Sequence, residues 1–268
     1  MCRVLKLNRS SYYYNEKEKA YDAELENAVI HEFYLSRQNY GTRKLKQVLR
    51  RNQNGHEALR VSRRRIGNIM KKYSLVSKYT LRRRKKQRAD INEAAIPNIV
   101  DRDFSDRQPL EVVVSDLTYL KCAGRWYYLC LLLDLHGRKI IGSAIGHRKD
   151  AKLVRKAFYG VQADLRRIKI FHTDRGSEFK NQVIDEITDT FGITRSLSAK
   201  GKPIDNSVAE SMYNIVKTEF AYGEVFADFN ELELKWFDFA NWYNYDRIHS
   251  SLGYLSPVEY EQSINMTP

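Results

Sequence analysis

The order of apolar patterns after residue 109 is the feature that most limits how this chain can fold. Three β-rich runs at 112–120, 126–133 and 139–145 follow one another across short segments that contain glycine. This arrangement predicts an antiparallel meander of three strands. Patterns typical of helix and strand then alternate along the chain. Such an order predicts the α/β fold class.

The alternating part begins with a helix that Asp150 is placed to cap. Its apolar residues recur at helical spacing as far as Leu165. The next elements are a strand, a helix stopped by glycine and a second strand, at residues 168–172, 179–191 with Gly192, and 193–197. A further helix opens near Asp205 or Asn206, which are both good caps. The pattern by itself predicts no more than an α/β sheet.

Three carboxylates lie on separate elements of this pattern. Asp116 and Asp174 each follow an apolar run that predicts a buried strand, and Glu210 lies on the next helix. Thirty-five residues separate Asp174 from Glu210. A hard divalent cation such as Mg2+ takes oxygen ligands, and two such ions about 3.5–4 Å apart serve phosphoryl transfer. The three acids therefore predict a metal site.

The helix that carries Glu210 is predicted to have two faces. One is an apolar stripe of Val208, Met212, Ile215 and Val216. Glu210, Tyr213 and Lys217 recur on another face at i, i+3 and i+7. We therefore expect Glu210 to point away from the core, with the Lys217 ammonium two turns along the same side for a DNA phosphate.

The residues around these acids resemble a known family. The segments that carry the resemblance are His172-Thr173-Asp174-Arg175-Gly176-Ser177, residues 200–210 and residues 243–257. With the spacing of the three acids, they resemble the DDE catalytic core of retroviral integrases and insertion-sequence transposases, and more closely the second-frame (OrfB-type) transposases. The resemblance covers nearly the whole chain. The family often has Trp three residues before its first Asp, where this chain has Val113, which is a change in packing.

The resemblance implies a ribonuclease H-like catalytic core, with a mixed five-stranded sheet and flanking helices, preceded by a small all-α helix-turn-helix domain. It also implies a DNA transposase with two Mg2+ or Mn2+ ions, in which Asp116 bridges both ions and Asp174 and Glu210 each complete one shell. Water would first release a 3′-hydroxyl at the element end. That hydroxyl would then attack target DNA without a covalent protein intermediate, while Lys217 holds the terminal phosphate backbone.

Basic residues are concentrated in the first third of the chain. Residues 1–90 contain 24 Lys and Arg against 8 Asp and Glu, a net charge of +16. Residues 91–268 contain 22 against 25, a net charge of −3. A block of this kind is typical of a nucleic-acid binder, and a solvated charged surface is the alternative. We therefore expect the first third to bind DNA.

Three amphipathic segments in this basic region predict short helices, at about 21–36, at about 43–51 and after Ser62. Short helices with a loop between them indicate a helix-turn-helix, whose third helix is the candidate for the major groove. The DNA contacts expected on that helix are Arg63, Arg64 and Arg65. The alternative is a small helical bundle whose basic face only improves solubility.

A basic run without an apolar face follows these helices and predicts a linker that tracks phosphates. Its expected DNA contacts are Arg82, Arg83, Arg84, Lys85 and Lys86. Pro97 and Pro109 break regular structure nearby. We accordingly predict a DNA-binding domain at 1–81, a linker at 82–108, and a catalytic core with its C-terminal helix and tail at 109–268.

The remaining candidates are weighed against ordinary structural roles. A final helix at about 228–245 carries aromatic residues that we expect in the core. Arg247 is counted among the DNA contacts, although a structural hydrogen-bonding role is equally open. Turn chemistry explains Asp134, and charge at a helix start explains Glu178. His172 is expected to be an orienting or core histidine.

No apolar run approaches the roughly 18 residues of a membrane span, and no signal peptide opens the chain. The three cysteines have no paired spacing, so neither a disulfide framework nor a zinc site is indicated. We expect a cytoplasmic protein. The resemblance implies a homo-oligomer on DNA, together with an upstream-frame protein or a frameshift fusion with it. A catalytically silent DNA-binding regulator and a structure-selective nuclease of the same fold are the alternative functions.

Overall fold

The first part of the chain folds into helices with a core of their own. The computed structural model describes residues 23–51, 57–81, 98–100, 107–198 and 207–265. The helices of the first part are α1 Ala23–Leu35, α2 Thr42–Val48, α3 Arg63–Lys72 and α4 Lys78–Leu81. Leu45, Leu49 and Ile66 are fully buried among them. Ser62 Oγ caps α3 by accepting a hydrogen bond from Arg65 N at 3.2 Å. The three predicted helices are confirmed, whereas α4 was not predicted.

Five strands form one mixed sheet in the order β3-β2-β1-β4-β5. Their bounds are β1 Val112–Cys122, β2 Arg125–Asp134, β3 Ile140–Gly146, β4 Ile170–Thr173 and β5 Thr194–Leu197. The first three strands pair antiparallel, while β4 pairs parallel with both β1 and β5. The predicted meander and the five-stranded mixed sheet are therefore confirmed.

Helices cover both faces of the sheet. Their bounds are α5 Ala151–Tyr159, α6 Gln182–Phe191, α7 Ser207–Ile215, α8 Phe229–Tyr245 and α9 Pro257–Asn265. Because side chains alternate along a strand, Val113 packs in the layer with α5 and α6, while Val114 packs in the layer with α7 and α8. The aromatic side chains of α8 that were expected in the core, such as Trp236 and Phe239, are fully buried. The sheet is thus sandwiched between two hydrophobic layers.

Two predicted helix boundaries were wrong. The helix after Asp150 ends at Tyr159 and not near Leu165, because the chain turns at Gly160, whose N–H donates to Ala157 O at 3.2 Å. A separate 3-10 turn then covers Leu165–Arg167. The following helix begins at Gln182 and not at Phe179, because Asn181 caps it by accepting a hydrogen bond from Ile184 N. Local capping chemistry outweighs the longer apolar pattern at both places.

The C-terminal tail, residues 246–259, joins the helical part to the sheet part. Ile248 is buried in the core of the helical part, and its N–H donates to Tyr40 Oη at 2.9 Å. Arg51 donates to the Glu259 carboxylate at 3.1 Å. Lys78 of α4 donates at 3.3 Å to the backbone oxygen of Glu219, in a π-helical segment that extends α7, Val216–Ala221. The tail and this π-helical segment therefore fix the two parts of the chain against each other.

Part of the predicted linker also packs on the sheet. Val100 is buried in the layer with α7 and α8, and Ile99 N donates to Ser196 Oγ at 2.9 Å. The basic run at 82–86 lies outside the described residues. The domain limits at 1–81, 82–108 and 109–268 remain a prediction. Within the described ranges, no helix has the length and apolar character needed to cross a membrane.

Gly142 of β3 is a position where the fold has no room for a side chain. A Cβ there would lie 2.5 Å from Ala157 O of α5 and 2.8 Å from Val161 Cγ2. We expect Gly142→Ala to lower the free energy of unfolding by about 1–3 kcal/mol, the usual range for overpacking, measured by urea denaturation. Gly67→Ala is the control, since its Cβ would lie 3.7 Å from Thr42 Cγ2, and alanine favours a helix interior by ~1 kcal/mol. A Gly142→Ala protein as stable as wild type would contradict this close packing.

Candidate active site

Strand register brings Asp116 and Asp174 side by side. The parallel pairing of β1 with β4 sets Val114 opposite His172, so the residues two positions further on are Asp116 and Asp174. Asp116 Oδ1 accepts a hydrogen bond from Leu117 N at 2.7 Å. Asp174 Oδ1 accepts one from Gly176 N at 2.9 Å in the turn after β4. Two neighbouring strands thus present two carboxylates at one place on the sheet.

The closeness of the two carboxylates affects the pKa of Asp116. Burial, and then the neighbouring Asp174 carboxylate, raise the pKa of Asp116 to about 7. The Leu117 N–H and the Lys149 ammonium act in the opposite direction, while Glu178 adds to the increase. An excess of negative charge at this point is what a bound cation would relieve.

Glu178 and Lys149 belong to the same charged site, which sequence reasoning missed. Glu178 lies in the first turn of a 3-10 helix, Ser177–Phe179, so it is a helix-start charge as expected, but it is only 3% exposed. Its Oε1 lies 2.8 Å from Lys149 Nζ. The carboxyl group folds over Gly176, where a Cβ would collide with it.

Two side chains that were set aside as structural are confirmed as such. His172 is fully buried, with Nδ1 2.9 Å from Ser196 Oγ and Nε2 3.2 Å from Ser198 Oγ. Asp134 Oδ1 accepts hydrogen bonds at 3.2 Å from the backbone N–H groups of Leu110 and His136. Both residues therefore hold the ends of strands in place.

Glu210 points away from the core, as expected, but it lies apart from the two aspartates. It is exposed on α7 and lines an open cavity with Tyr79, Asn214 and Arg247. Partial burial raises the pKa of Glu210. Residues 199–206, which contain both predicted caps of α7, lie outside the described ranges.

The two faces of α7 differ from the predicted ones at Tyr213. This residue is buried, and its hydroxyl donates a hydrogen bond to the backbone oxygen of Asp116. Tyr213 therefore belongs with Val208, Met212 and Val216 on the buried side, not with Glu210 on the outer side. A tyrosine can be buried there because the backbone oxygen of Asp116 accepts a hydrogen bond from its hydroxyl. It ties α7 directly to the strand that carries Asp116.

The aspartate pair suits a divalent cation, since carboxylate oxygens are the ligands that Mg2+ prefers. The crowding that raises the pKa of Asp116 is consistent with this donor set. In the part of the chain that the structure describes, however, no three His, Cys, Asp or Glu side chains come close enough to hold a metal ion. The structure therefore brings together two of the three predicted ligands.

The expected DNA contacts other than Arg247 fall into three groups. Arg63, Arg64 and Arg65 are exposed at the start of α3. Lys217 is partly exposed beyond α7, with its ammonium 4.9 Å from the centre of the Tyr119 ring. The linker residues expected to contact DNA are outside the described ranges, namely Arg82, Arg83, Arg84, Lys85 and Lys86.

Arg247 was wrongly counted among the DNA contacts. Its side chain is buried and forms two hydrogen bonds to the Glu219 carboxylate, at 2.6 and 2.7 Å. Burial alone would raise the pKa of Glu219, but the Arg247 guanidinium outweighs it and lowers that pKa. Tyr79 Oη also donates to Glu219 at 2.5 Å. The structural role left open for Arg247 is the one that the fold gives it.

The raised pKa of Asp116 predicts a pH-dependent cost in stability. Between about pH 4 and the folded pKa of about 7, the folded chain keeps a proton that the unfolded chain has lost, so stability falls as pH rises through this window. We expect Asp116→Asn, measured by urea denaturation in EDTA, to stabilise the protein at pH 8 by about 1–2 kcal/mol after allowance for solvent screening, and to have little effect near pH 4.

The matched control is Asp189→Asn on the exposed side of α6, which should change stability little at either pH. Asparagine keeps the Oδ1 acceptor that Leu117 N uses, so the local turn is preserved. A loss of stability at pH 8 in Asp116→Asn would show that the two carboxylates do not crowd each other.

Comparison with protein families agrees with this architecture along the chain. The integrase core domain matches residues 106–203, and a second integrase core domain family matches residues 210–264. An HTH-like domain matches residues 20–86. The helix-turn-helix and the catalytic-core fold were therefore correctly predicted.

Individual relatives match most of the chain. An uncharacterized transposase-like protein of Haemophilus influenzae is 30% identical over 211 residues, which cover 78% of this chain and 97% of the relative. The transposase for insertion sequence element IS904 of Lactococcus lactis is 29% identical over 247 residues, or 88% and 91% of the two chains. A chain of the simian T-cell lymphotropic virus intasome, solved with PP2A regulatory subunit B56 gamma, shares the fold at a TM-score of 0.51 and 16% identity, covering 90% of this chain and 76% of that one.

Proposed function

Because this chain belongs to the insertion-sequence transposases that carry an integrase core domain, we propose that it releases a 3′-hydroxyl at each element end and joins it to target DNA. The observation that best supports this chemistry is the pair of carboxylates, Asp116 on β1 and Asp174 directly after the adjacent strand β4. The hydrogen bonds that Leu117 N and Gly176 N donate to these carboxylates hold them in place, which favours a preorganised site.

We assign two Mg2+ or Mn2+ ions per active site to Asp116, Asp174 and Glu210. When bound, such ions would stabilise the charge that develops on the attacking and leaving oxygens of a phosphodiester. Asp116 and Asp174 provide fixed oxygen ligands, whereas Glu210 must turn towards them from its cavity. Among the described residues Glu210 has no hydrogen-bond or ion-pair partner, so no such contact opposes this movement.

The chain's own cations would position the DNA. Lys217 follows the helix of Glu210 and would hold the backbone near the cleaved bond as a point charge. Arg63, Arg64 and Arg65 lie on the outside of α3, the helix assigned to the major groove. The basic run at 82–86 would follow phosphates between the two regions. This placement supports one chain acting on both a recognition sequence and a scissile bond.

Oligomerisation on DNA forms part of the proposal. Two element ends must be joined to target DNA together, so we propose that copies of this chain assemble on paired ends. We also propose that the upstream-frame product, or a fusion with it, contributes to recognition of the ends.

A labelled element-end duplex incubated with Mg2+ or Mn2+ tests the proposed function. Joining of the labelled end to a second duplex is the expected result. Cleavage without joining would indicate a structure-selective nuclease, and binding without any strand breakage would indicate a silent regulator. Either outcome would replace the proposed reaction.

A further inference from the structure

The hairpin of β1 and β2 carries two aromatic side chains that the core does not use. Trp126 is 54% exposed and Tyr119 is 43% exposed, whereas the other two tryptophans, Trp236 and Trp242, are buried. The Tyr119 and Trp126 rings pack edge to face with centroids 5.1 Å apart. Large exposed rings that contact each other indicate a role in binding rather than a role in packing the core.

Two lysines lie against these rings. Lys217 Nζ is 4.9 Å from the centre of the Tyr119 ring, and Lys121 Nζ is 6.0 Å from the centre of the Trp126 ring. Lys121 is the cross-strand partner of Trp126, while Lys217 comes from the π-helical segment after α7. Within the described ranges neither ammonium forms an ion pair. We call Tyr119, Lys121, Trp126 and Lys217 the hairpin platform.

The hairpin platform lies close to the aspartate pair. Tyr119 is three residues beyond Asp116 on β1, about 10 Å along the strand, and because side chains alternate its ring leaves the strand on the face opposite to the Asp116 carboxylate. Lys217 is four residues beyond Tyr213, whose hydroxyl donates to the Asp116 backbone, so one helical turn separates Lys217 from the residue that touches the site. β4 pairs with β1 only from Val112 to Val114, so among the described strands that edge of β1 has no partner further on, and a DNA strand bound at the aspartate pair could pass this edge beside Lys217 to reach the platform.

We propose that the hairpin platform binds an unpaired nucleotide next to the reacting phosphate, with the base stacked on Trp126 or Tyr119 and its phosphates near Lys121 and Lys217. Aromatic rings combined with cations are the means by which proteins bind single strands without sequence preference. Bases inside a duplex offer no free face for such stacking, so the ligand is a single-stranded extension. This inference rests on the proposed function, because it takes DNA as the substrate.

Charge favours DNA over a protein partner at this surface. A stable protein interface buries about 800 Å² on each side and is depleted in lysine, whereas two rings flanked by two lysines form a small cationic patch. That composition is complementary to a polyanion. A change of oligomeric state on substitution of the rings is therefore not expected.

Fluorescence anisotropy in Ca2+, with the full chain, tests the platform. A blunt element-end duplex is compared with the same duplex carrying a three-nucleotide single-stranded extension at the cleaved end. We expect Tyr119→Ala with Trp126→Ala to weaken binding of the extended duplex by at least about 5-fold, since stacking contributes ~1–3 kcal/mol per base, and to leave the blunt duplex unaffected. Trp126→Phe should keep the affinity because it keeps an aromatic face.

The matched control is Tyr159→Ala, which removes an exposed ring beside Arg155 on α5. It should bind both duplexes like wild type. Equal affinities of the double variant and wild type for the extended duplex would overturn the platform, as would an equal loss for both duplexes or a change in oligomeric state. Failure of the wild-type chain to bind either duplex would overturn the proposed function itself, which distinguishes the two cases.

Discussion

Substituting asparagine for Asp174 should reduce DNA cleavage and joining by at least about 100-fold and leave DNA affinity within about twofold, since removing one group that stabilises transition-state charge costs ~10²–10³ in rate. Asp174 lies beside Asp116, directly after the adjacent strand β4, and asparagine keeps the Oδ1 that accepts from Gly176 N at 2.9 Å. The turn should therefore survive while the negative charge is lost. The measurement is single-turnover cleavage and joining of labelled element ends in Mg2+ and in Mn2+.

The Glu210→Gln variant, measured in the same assay, tests whether Glu210 contributes to DNA cleavage and joining. Glu210 lies apart from the aspartates in the structure, and a comparable loss of activity would show that it joins them on DNA. Asp189→Asn, on the exposed side of α6, is the charge-matched control and should react at the wild-type rate. If Glu210→Gln stays active while Asp174→Asn does not, the assignment of Glu210 is wrong. Glu178, buried beside the pair, would then be the next residue to test.

Replacement of Arg247 by methionine is expected to destabilise the protein by about 3–5 kcal/mol, because it leaves the buried Glu219 carboxylate without its partner. The Arg247 side chain donates to Glu219 at 2.6 and 2.7 Å, in a place with almost no solvent contact for either residue. The free energy of unfolding, measured by urea denaturation at pH 7, gives the result directly. DNA affinity corrected for the unfolded fraction should remain close to wild type, since Arg247 is not at the surface.

Two further variants separate a buried ion pair from a general loss of packing. Arg247→Met combined with Glu219→Leu should recover part of the stability, since no buried charge is then left unpaired. Lys156→Met removes an exposed ion pair with Glu233 at 3.1 Å and should cost less than about 1 kcal/mol. If Arg247→Met costs no more than Lys156→Met, the pair with Glu219 does not stabilise the fold.

Elements specified by local chemistry were predicted well from the sequence. The apolar runs of β1 and β2 indicate strands because they are short, rich in β-branched or aromatic residues, and joined by a turn that contains Gly124. Ser62 and Asp150 cap the helices expected of them, and Gly192 ends α6 with a φ of 68° in the left-handed region. These features depend on neighbours within a few residues, which the sequence shows directly.

Features that depend on distant partners were predicted poorly. Glu219 is 28 residues from Arg247, and no local pattern indicates that the two meet in the interior. Lys149 and Glu178 are brought together by the loop after β3 and the turn after β4, which no periodicity describes. The spacing of Glu210 from Asp174 suits three converging acids, but spacing along the chain does not fix the position of α7 relative to β4. Such contacts depend on how the helices and strands are arranged in three dimensions, which the sequence pattern does not show.

The burial of Ile248 in the core of the N-terminal helices means that these helices cannot complete their core until the C-terminal tail has been synthesised. The Ile248 N–H reaches Tyr40 across 208 residues of sequence. The helical part therefore leaves the ribosome long before Ile248, which completes its hydrophobic core, has been synthesised. Contacts between residues so distant in sequence form late in folding. A nonsense mutation or proteolytic cleavage just before Ile248 would consequently remove part of this core. It would weaken the proposed DNA binding by α3 even though every arginine of α3 is still present.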